Sequence, residues 1–356
     1  MMNSSRYVGE YEAIIKCKTK NKVEGTSGGF VTTMLTNLMK AGEIDSAIVV
    51  DSRGTESFYI EATTPEQIHQ ARGSKYQLLS PFPLLNKIDK NKRYAVVLLP
   101  CHIAKARKIS EKNGSAIKLI IGLFCGFMLD KKAPDMLVKS LGIEKDDVKK
   151  LEYRGGNFPG GFRIQTHSGK TVLWPKKYYT LLNKMFAPKG CLKCSHFSAE
   201  MADIAVGDAW EEFEFSRVIL RNQESLRYFS MVKDHFKIKD SNFDDIYKTQ
   251  WHLLQFKKRS GAVRRKVLRS KKQRRALNDE DKDALVNLPL YEKMVSYFFI
   301  YEILFFRKIR EVLLSLSPKF LLWLNTAIRK VDFFLGGRNK KYILEDLKNR
   351  KEDEEK

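Results

Sequence analysis

Between roughly residues 11 and 240, short apolar runs alternate with polar, turn-rich segments, and that spacing predicts strands and helices in alternation. Tyr11–Lys16 reads as a strand, and a polar loop carrying Lys18, Lys20 and Lys22 follows it into Gly25-Thr-Ser-Gly-Gly29. Directly after the glycines, Phe30, Val31, Met34, Leu35, Leu38 and Met39 fall on one face of a helix, which Gly42 closes. Ile44–Asp51 is the next strand. A second strand–helix–strand unit runs through Tyr94–Pro100, His102–Ser110 and Ala116–Cys125; its first strand is apolar throughout, as expected when both faces are buried. Pro134–Leu141 reads as a short helix and Tyr153–Gly161 as a loop of turn residues. Phe162–His167 and Lys170–Trp174 form a hairpin across Ser168-Gly169. Ala202–Val206 is a buried strand that ends in Gly207-Asp208, a turn presenting a carboxylate. Val218–Leu220, Glu224–Val232 and Phe236–Ile238 repeat the strand–helix–strand pattern more weakly. The expected fold class is α/β, a mixed sheet core with flanking helices.

From about Tyr247 the pattern changes. Glycine becomes scarce, Lys and Arg dominate, and Ser296–Leu316 and Phe320–Leu335 read as long helices rich in Phe, Leu and Ile. Glu302, Arg307, Lys308, Arg310 and Glu311 break the apolar run well short of the ~20 residues needed to cross a membrane. A helical hairpin on the core and an amphipathic helix lying on a membrane both fit that pattern. Asn339–Lys356 reads as a charged terminal helix. Two parts are expected: residues 1–246, which carry the chemistry, and residues 247–356, basic and mostly helical.

With 43% apolar and 30% charged residues, the chain has the composition of a soluble globular protein. The opening MMNSSRYVGEYE has no apolar leader, so a cytoplasmic location is expected, with peripheral attachment to the inner face of the membrane as a variant. The net charge of +23 is uneven: Lys257–Arg275 holds eleven Lys or Arg and no acid. The bland reading is a solvated basic face. The sharper readings are a dock for an acidic ferredoxin-like or other redox protein, or contact with an anionic membrane through residues 257–335. No nucleic-acid motif accompanies the run, so nucleic acid ranks last.

Five cysteines in a cytosolic chain point to metal binding or catalysis more than to disulfides. Cys191-Leu-Lys-Cys194 is a two-thiol half-site. Cys101 and Cys125 each lie just past the C-terminal end of an apolar strand, where open α/β sheets keep their functional groups. Taken singly, each is best read as a small buried hydrophobe. Four thiolates bind zinc or an iron–sulfur cluster, and spacing alone does not choose. The strand-end positions, a chain too large to need a zinc staple, and the Gly-rich helix start favour an iron–sulfur site beside a phosphate-bearing cofactor. The plain alternative for that loop is a helix cap by Thr26 or Ser27. Cys17 has no second ligand nearby and reads as structural.

Several stretches in one order carry a resemblance. They are Thr26-Ser-Gly-Gly-Phe30, Gly42-Glu-Ile-Asp45, Gly73-Ser-Lys-Tyr76, Pro100-Cys-His-Ile-Ala104 and Ile121-Gly-Leu-Phe-Cys125, then Arg154-Gly-Gly-Asn-Phe-Pro-Gly160 and Cys191-xx-Cys194 with Ala202–Asp208. Over about residues 23–240 the chain resembles the beta subunit of coenzyme F420-reducing hydrogenase and its dehydrogenase relatives. The resemblance implies that Cys101, Cys125, Cys191 and Cys194 hold one [4Fe–4S] cluster, and that Thr26, Ser27, Gly28, Gly29, Ser74, Lys75 and Tyr76 help bind FAD. Lys75, Arg154 and His102 are candidates for charge near the flavin or its phosphates. The implied activity is hydride exchange between FAD and coenzyme F420 or another organic substrate, with single electrons passing through the cluster. Two rivals stand beside it: a reductase in polysaccharide or cell-surface glycan biosynthesis, and a non-enzymatic four-cysteine zinc scaffold with a membrane-binding tail. The chain departs from many relatives in lacking a second, ferredoxin-like cysteine cluster, and its basic C-terminal region lies outside the resemblance.

Overall fold

The computed structural model describes residues 4–21, 26–156, 160–175, 178–212, 214–268 and 279–354. Its strands are β1 Ala13–Thr19, β2 Ser46–Arg53, β3 Glu56–Ala62, β4 Tyr94–Leu98, β5 Ile117–Leu123, β6 Val148–Gly155, β7 Gly161–Thr166, β8 Thr171–Pro175, β9 Ile204–Asp208, β10 Ser216–Leu220 and β11 Phe236–Asp240. Eight of them form one mixed sheet in the order β11-β1-β10-β9-β5-β4-β2-β3, and β6-β7-β8 form a second, antiparallel sheet. Strands β2, β4, β5 and β9 run parallel, and β10 is antiparallel to both β9 and β1. Strand β1 therefore points the same way as the parallel set. Both sequence units are present, but only the second joins neighbouring strands: β4 pairs with β5, whereas β10, β9, β5 and β4 stand between β1 and β2.

The helices that bear on the site are α1 Phe30–Lys40, α2 Pro100–Lys112, α3 Tyr179–Phe186, α4 Lys189–Lys193, α5 Phe243–Leu254, α6 Gly261–Leu268, α7 Leu290–Leu314 and α8 Pro318–Glu354. The apolar stripe of α1 (Met34, Leu35, Leu38) packs with Val49, Ile121 and Val218 in one core. On the other face of the sheet, Ile103, Ala106 and Ile109 of α2 pack with Val96, Ile120 and Ile219. A third core joins Tyr153, Phe162 and Ile164 of the small sheet to Leu181 and Phe186 of α3, and to Phe306, Leu313 and Leu321 of α7 and α8. The C-terminal helices are thus built into the molecule by a shared apolar core.

Two differences from the sequence reading have physical causes. Tyr153–Gly155, expected in a loop, ends β6; register shifts within β6 break the alternation that would have marked a strand. Asn157–Pro159 of that expected loop lie outside the described residues. Of the six cations in the described part of the basic run, residues 257–268, Lys266 alone is exposed. Lys257 and Arg264 are buried, Lys258 pairs with Glu200, Arg259 with Glu292, and Arg265 with Asp281. Residues 269–275 of the run lie outside the described residues. Among the described residues, no helix is long and apolar enough to cross a membrane.

Candidate functional site

A cavity of about 720 Å³ opens at the C-terminal edge of β2, β4, β5 and β9, within the range of ~300–1,000 Å³ usual for small-molecule and cofactor sites. Thr26, Ser27, Gly29, Ser74, Lys75, Tyr76 and Arg154 all line it, as does Cys125. The far wall comes from the C-terminal region, through Trp251, Phe256, Phe299 and Phe333. Gly28 and His102 are not among the lining residues. A Cβ on Gly28 would stand 2.1 Å from the Cys17 carbonyl oxygen and 2.5 Å from the Ser216 nitrogen, so this glycine lets the loop lie flat on β1 and β10. His102 is buried against Phe82, ring centroids 5.6 Å apart, and burial lowers its pKa.

The loop does not cap α1 with a side chain. Gly29 is the N-cap, in the left-handed region at φ 71°, with no side-chain hydrogen bond to the helix. The hydroxyls expected to cap are engaged elsewhere: Ser27 Oγ lies 2.9 Å from Ser216 Oγ, and Ser74 Oγ donates to Thr26 Oγ1 at 3.0 Å. The first turn of α1, including Val31 and Thr32, thus faces the cavity with the partial positive charge of a helix N-terminus.

Charge is set into the walls by burial. Lys75 donates to the carbonyls of Ala71 and, at 2.8 Å, Arg72, and desolvation lowers its pKa to about 8. Arg154, from the end of β6, is buried and donates through Nη1 to both carboxylate oxygens of Asp208 at 2.8 and 2.7 Å. Asp208 stands at the end of β9, so this pair ties the small sheet to the large one at the cavity. Burial pushes the Tyr76 phenol up to about 12. Also on the wall, Lys184 of α3 is held between Glu302 of α7 and Asp332 of α8.

The cysteines gather beside the cavity. Cys101 lies in the first turn of α2 after β4, Cys125 follows β5, Cys191 lies within α4, and Cys194 caps it. Cys101 is exposed, and the other three are half-buried. Desolvation raises the Cys101 thiol to about 11 and the Cys125 thiol to about 12; Cys191 and Cys194 add to both shifts, and Cys101 adds to that of Cys125. Among the described residues, no three His, Cys, Asp or Glu side chains stand close enough to share a single metal ion; the thiols are neighbours in charge without forming a closed ligand set. Cys17 is separate, fully buried in β1 opposite Ser216 and Ile238, and its thiol is pushed up to about 12 by burial.

Two buried cations that the sequence reading left in the basic run belong to this site. Arg264 of α6 donates to the Leu192 carbonyl at 2.5 Å, the Cys194 carbonyl at 3.2 Å and the Phe256 carbonyl, gripping the Cys191–Cys194 turn from behind. The charge of Lys257 reaches Cys101, Cys125 and Cys191. Their spacing of seven residues, two helical turns, was the signal available in the sequence.

A cofactor-sized cavity at the C-terminal edge of a mixed α/β sheet, with four thiols beside it, is the architecture of an oxidoreductase family. Family models for the coenzyme F420 hydrogenase/dehydrogenase beta subunit match the chain at residues 14–86 for the N-terminal part and 91–245 for the C-terminal part, and the chain belongs to that family. It is 29% identical over 229 residues to an F(420)H(2) dehydrogenase subunit of Methanosarcina mazei, covering 62% of this chain and 63% of that one. It is also 29% identical over 263 residues to the coenzyme F420-dependent sulfite reductase of Methanocaldococcus jannaschii, covering 67% of this chain and 39% of the relative. The chain therefore spans less than two thirds of the length of either relative. A chain of the F420-reducing [NiFe] hydrogenase complex from Methanosarcina barkeri shares the fold, with a TM-score of 0.60 and 21% identity over 74% of this chain and 95% of that one.

Proposed function

We propose that the chain is a flavin- and [4Fe–4S]-dependent oxidoreductase that exchanges hydride between FAD and coenzyme F420, or another organic substrate, and single electrons through the cluster. One residue carries the reading. Cys125 lines the cavity, and its thiol feels the charge of Cys101, Cys191 and Cys194. A group bound in the cavity and a group held by the four thiols would therefore be neighbours, as coupled two-electron and one-electron chemistry requires.

Bound there, the flavin would supply hydride transfer and the cluster one-electron exchange. The protein's own contribution is placement and charge. The uncapped first turn of α1 suits phosphate oxygens. Lys75 and the Arg154–Asp208 pair fix positive and negative charge on the walls. Cys101, Cys125, Cys191 and Cys194 would hold the cluster, and the raised thiols of Cys101, Cys125 and Cys191 mean that loading it must displace protons. Residues 1–246 supply these side chains, and residues 247–356 supply the far wall and the cations behind the thiols.

Electrons that pass one at a time need an outside redox protein, and an acidic ferredoxin-like partner suits a chain of net charge +23. The names of the relatives, dehydrogenase and sulfite reductase, are consistent with a coenzyme F420-linked reaction in this chain. Exposed Tyr301, Phe305, Trp323 and Phe334 on α7 and α8 support peripheral contact with an anionic membrane from the cytoplasmic side.

The test is purification without oxygen, followed by iron, flavin and absorbance measurements. About four irons and one flavin per chain are expected, and Cys125→Ser should lose iron while keeping more than half of the flavin. A colourless protein carrying neither iron nor flavin would sink the reading.

A further inference from the structure

Lys257 is the buried cation that, in the described part of the basic run, neither a carboxylate nor a backbone carbonyl balances. It lies in a π-helical turn, Gln255–Arg259, between α5 and α6, and its side chain is only 1% exposed. Such turns shift the facing of the residues they contain and recur at functional sites. Its neighbours are engaged: Lys258 by Glu200, Arg259 by Glu292, Arg265 by Asp281, and Arg264 by backbone carbonyls. Lys257 instead has two aromatic faces, Phe127 at 4.9 Å and Phe256 at 5.9 Å. Among the described residues it has no carboxylate partner and no hydrogen-bond acceptor.

Ring faces return part of what an ammonium loses on leaving water, but they do not neutralise it. Phe127 follows Cys125 by two residues, so the ring that seats the ammonium is part of the same segment as a thiol. The negative charge this position could use is thiolate.

We propose that Lys257 is a positioning residue whose fixed charge balances a four-thiolate cluster held by Cys101, Cys125, Cys191 and Cys194, favouring its assembly and holding its reduction potential up. The inference rests on the cluster reading given above and deepens it. It also assigns a task to a residue outside the segment matched by the family, which ends at 245. Reduction adds one electron, taken from a one-electron donor, to a group that is already anionic. A neighbouring positive charge therefore stabilises the reduced form more than the oxidised one.

The experiment is a reductive titration of the anaerobically purified protein with dithionite, followed by paramagnetic resonance of the cluster, in wild type, Lys257→Met and Lys257→Arg. At a fixed solution potential, Lys257→Met should lower the ratio of reduced to oxidised cluster at least tenfold, about 59 mV for one electron, with Lys257→Arg close to wild type. If Lys257→Met folds with an unchanged circular dichroism spectrum but loads less than half of the iron, and Lys257→Arg restores it, charge is again the cause. Equal loss of iron in both variants would assign the residue a role in shape and overturn the proposal. An unchanged potential in a fully loaded Lys257→Met would overturn it while leaving the cluster reading intact. A wild-type protein without iron would remove both.

Discussion

Glu292→Gln tests how the turn that presents Lys257 is held. Glu292 of α7 is fully buried. Its Oε1 accepts from Arg259 Nη2 at 2.6 Å, and its Oε2 accepts from Arg259 Nε at 2.9 Å and Gln255 Nε2 at 2.7 Å. Both donors belong to the π-helical turn, so one carboxylate fixes both ends of it. The substitution keeps the volume but removes the charge, and it points an amide NH2 at a guanidinium or at another amide. Removing one partner of a buried ion pair costs about 3–5 kcal/mol. Arg259 is 12% exposed and keeps a hydrogen bond to the Tyr7 hydroxyl at 3.4 Å, so the lower end, about 3 kcal/mol, applies. At about 2 °C per kcal/mol for a chain of this size, thermal unfolding followed by circular dichroism should drop by about 6 °C. Arg259→Met with Glu292→Leu removes both charges, and apolar replacements of buried pairs are often neutral, so the double variant should recover more than half of the loss. A Glu292→Gln protein within about 1 °C of wild type, or a double variant less stable than the single, would refute the argument.

Three further outcomes are expected. Gly28→Ala would press a methyl group onto the backbone of β1 and β10, which cannot turn aside as a side chain can; flavin retained through gel filtration should fall at least tenfold, and unchanged retention would show that the loop tolerates the shift. The Glu302 carboxyl is pushed up to about 7 by burial first, with Lys184 opposing and Asp332 adding to the shift. Its folded pKa lies above the unfolded one, so its contribution to stability is full below about pH 4.5 and is lost as pH rises through about 7; melting temperatures from pH 5 to 8 should fall less steeply in Glu302→Gln than in wild type, and equal slopes would discount the group. For the membrane contact, Trp323 emission should shift to shorter wavelength with anionic vesicles and not with neutral ones, and Phe305→Ser should weaken the effect; no response to anionic vesicles would remove that role.

Much of the fold of residues 1–246 was legible because its strands are short, apolar and bounded by turn residues. Cys101 and Cys125 could be placed at strand ends from the runs Tyr94–Pro100 and Ala116–Cys125, and β4 and β5 stand side by side as that placement needs. Less was legible where alternation is broken. Strand β3, with Phe58 exposed and Ala62 buried, carries no strong pattern, and β6 loses its period through register shifts. The insertion of β9 and β10 between β1 and β5 is invisible locally, since it depends on strands paired across more than 80 residues. Thr26 and Ser27 were reasonable caps by residue type, yet their hydroxyls bind Ser74 and Ser216. Tertiary partners outcompeted the helix end.

The basic run misled for a related reason, and its resolution says most about how this chain works. A dense series of Lys and Arg is normally solvated, because burying each charge is costly. Here each described cation in positions 257–259 and 264–265 has a particular answer to that cost: Glu200, Glu292, Asp281, a set of carbonyls, or, for Lys257, aromatic faces beside the thiols. Those answers lie on segments far apart in sequence, so composition could not show them. Their combined effect is that the Cys191–Cys194 turn is fixed from the C-terminal side, through Arg264 on the Leu192 and Cys194 carbonyls. A chain ending at residue 246 would retain every thiol yet lose the group that holds two of them in place. The region beyond the family match is therefore a structural component of the thiol site and of the far wall of the cavity. Variation there can reshape the thiol turn and the far wall of the cavity without changing a single cysteine.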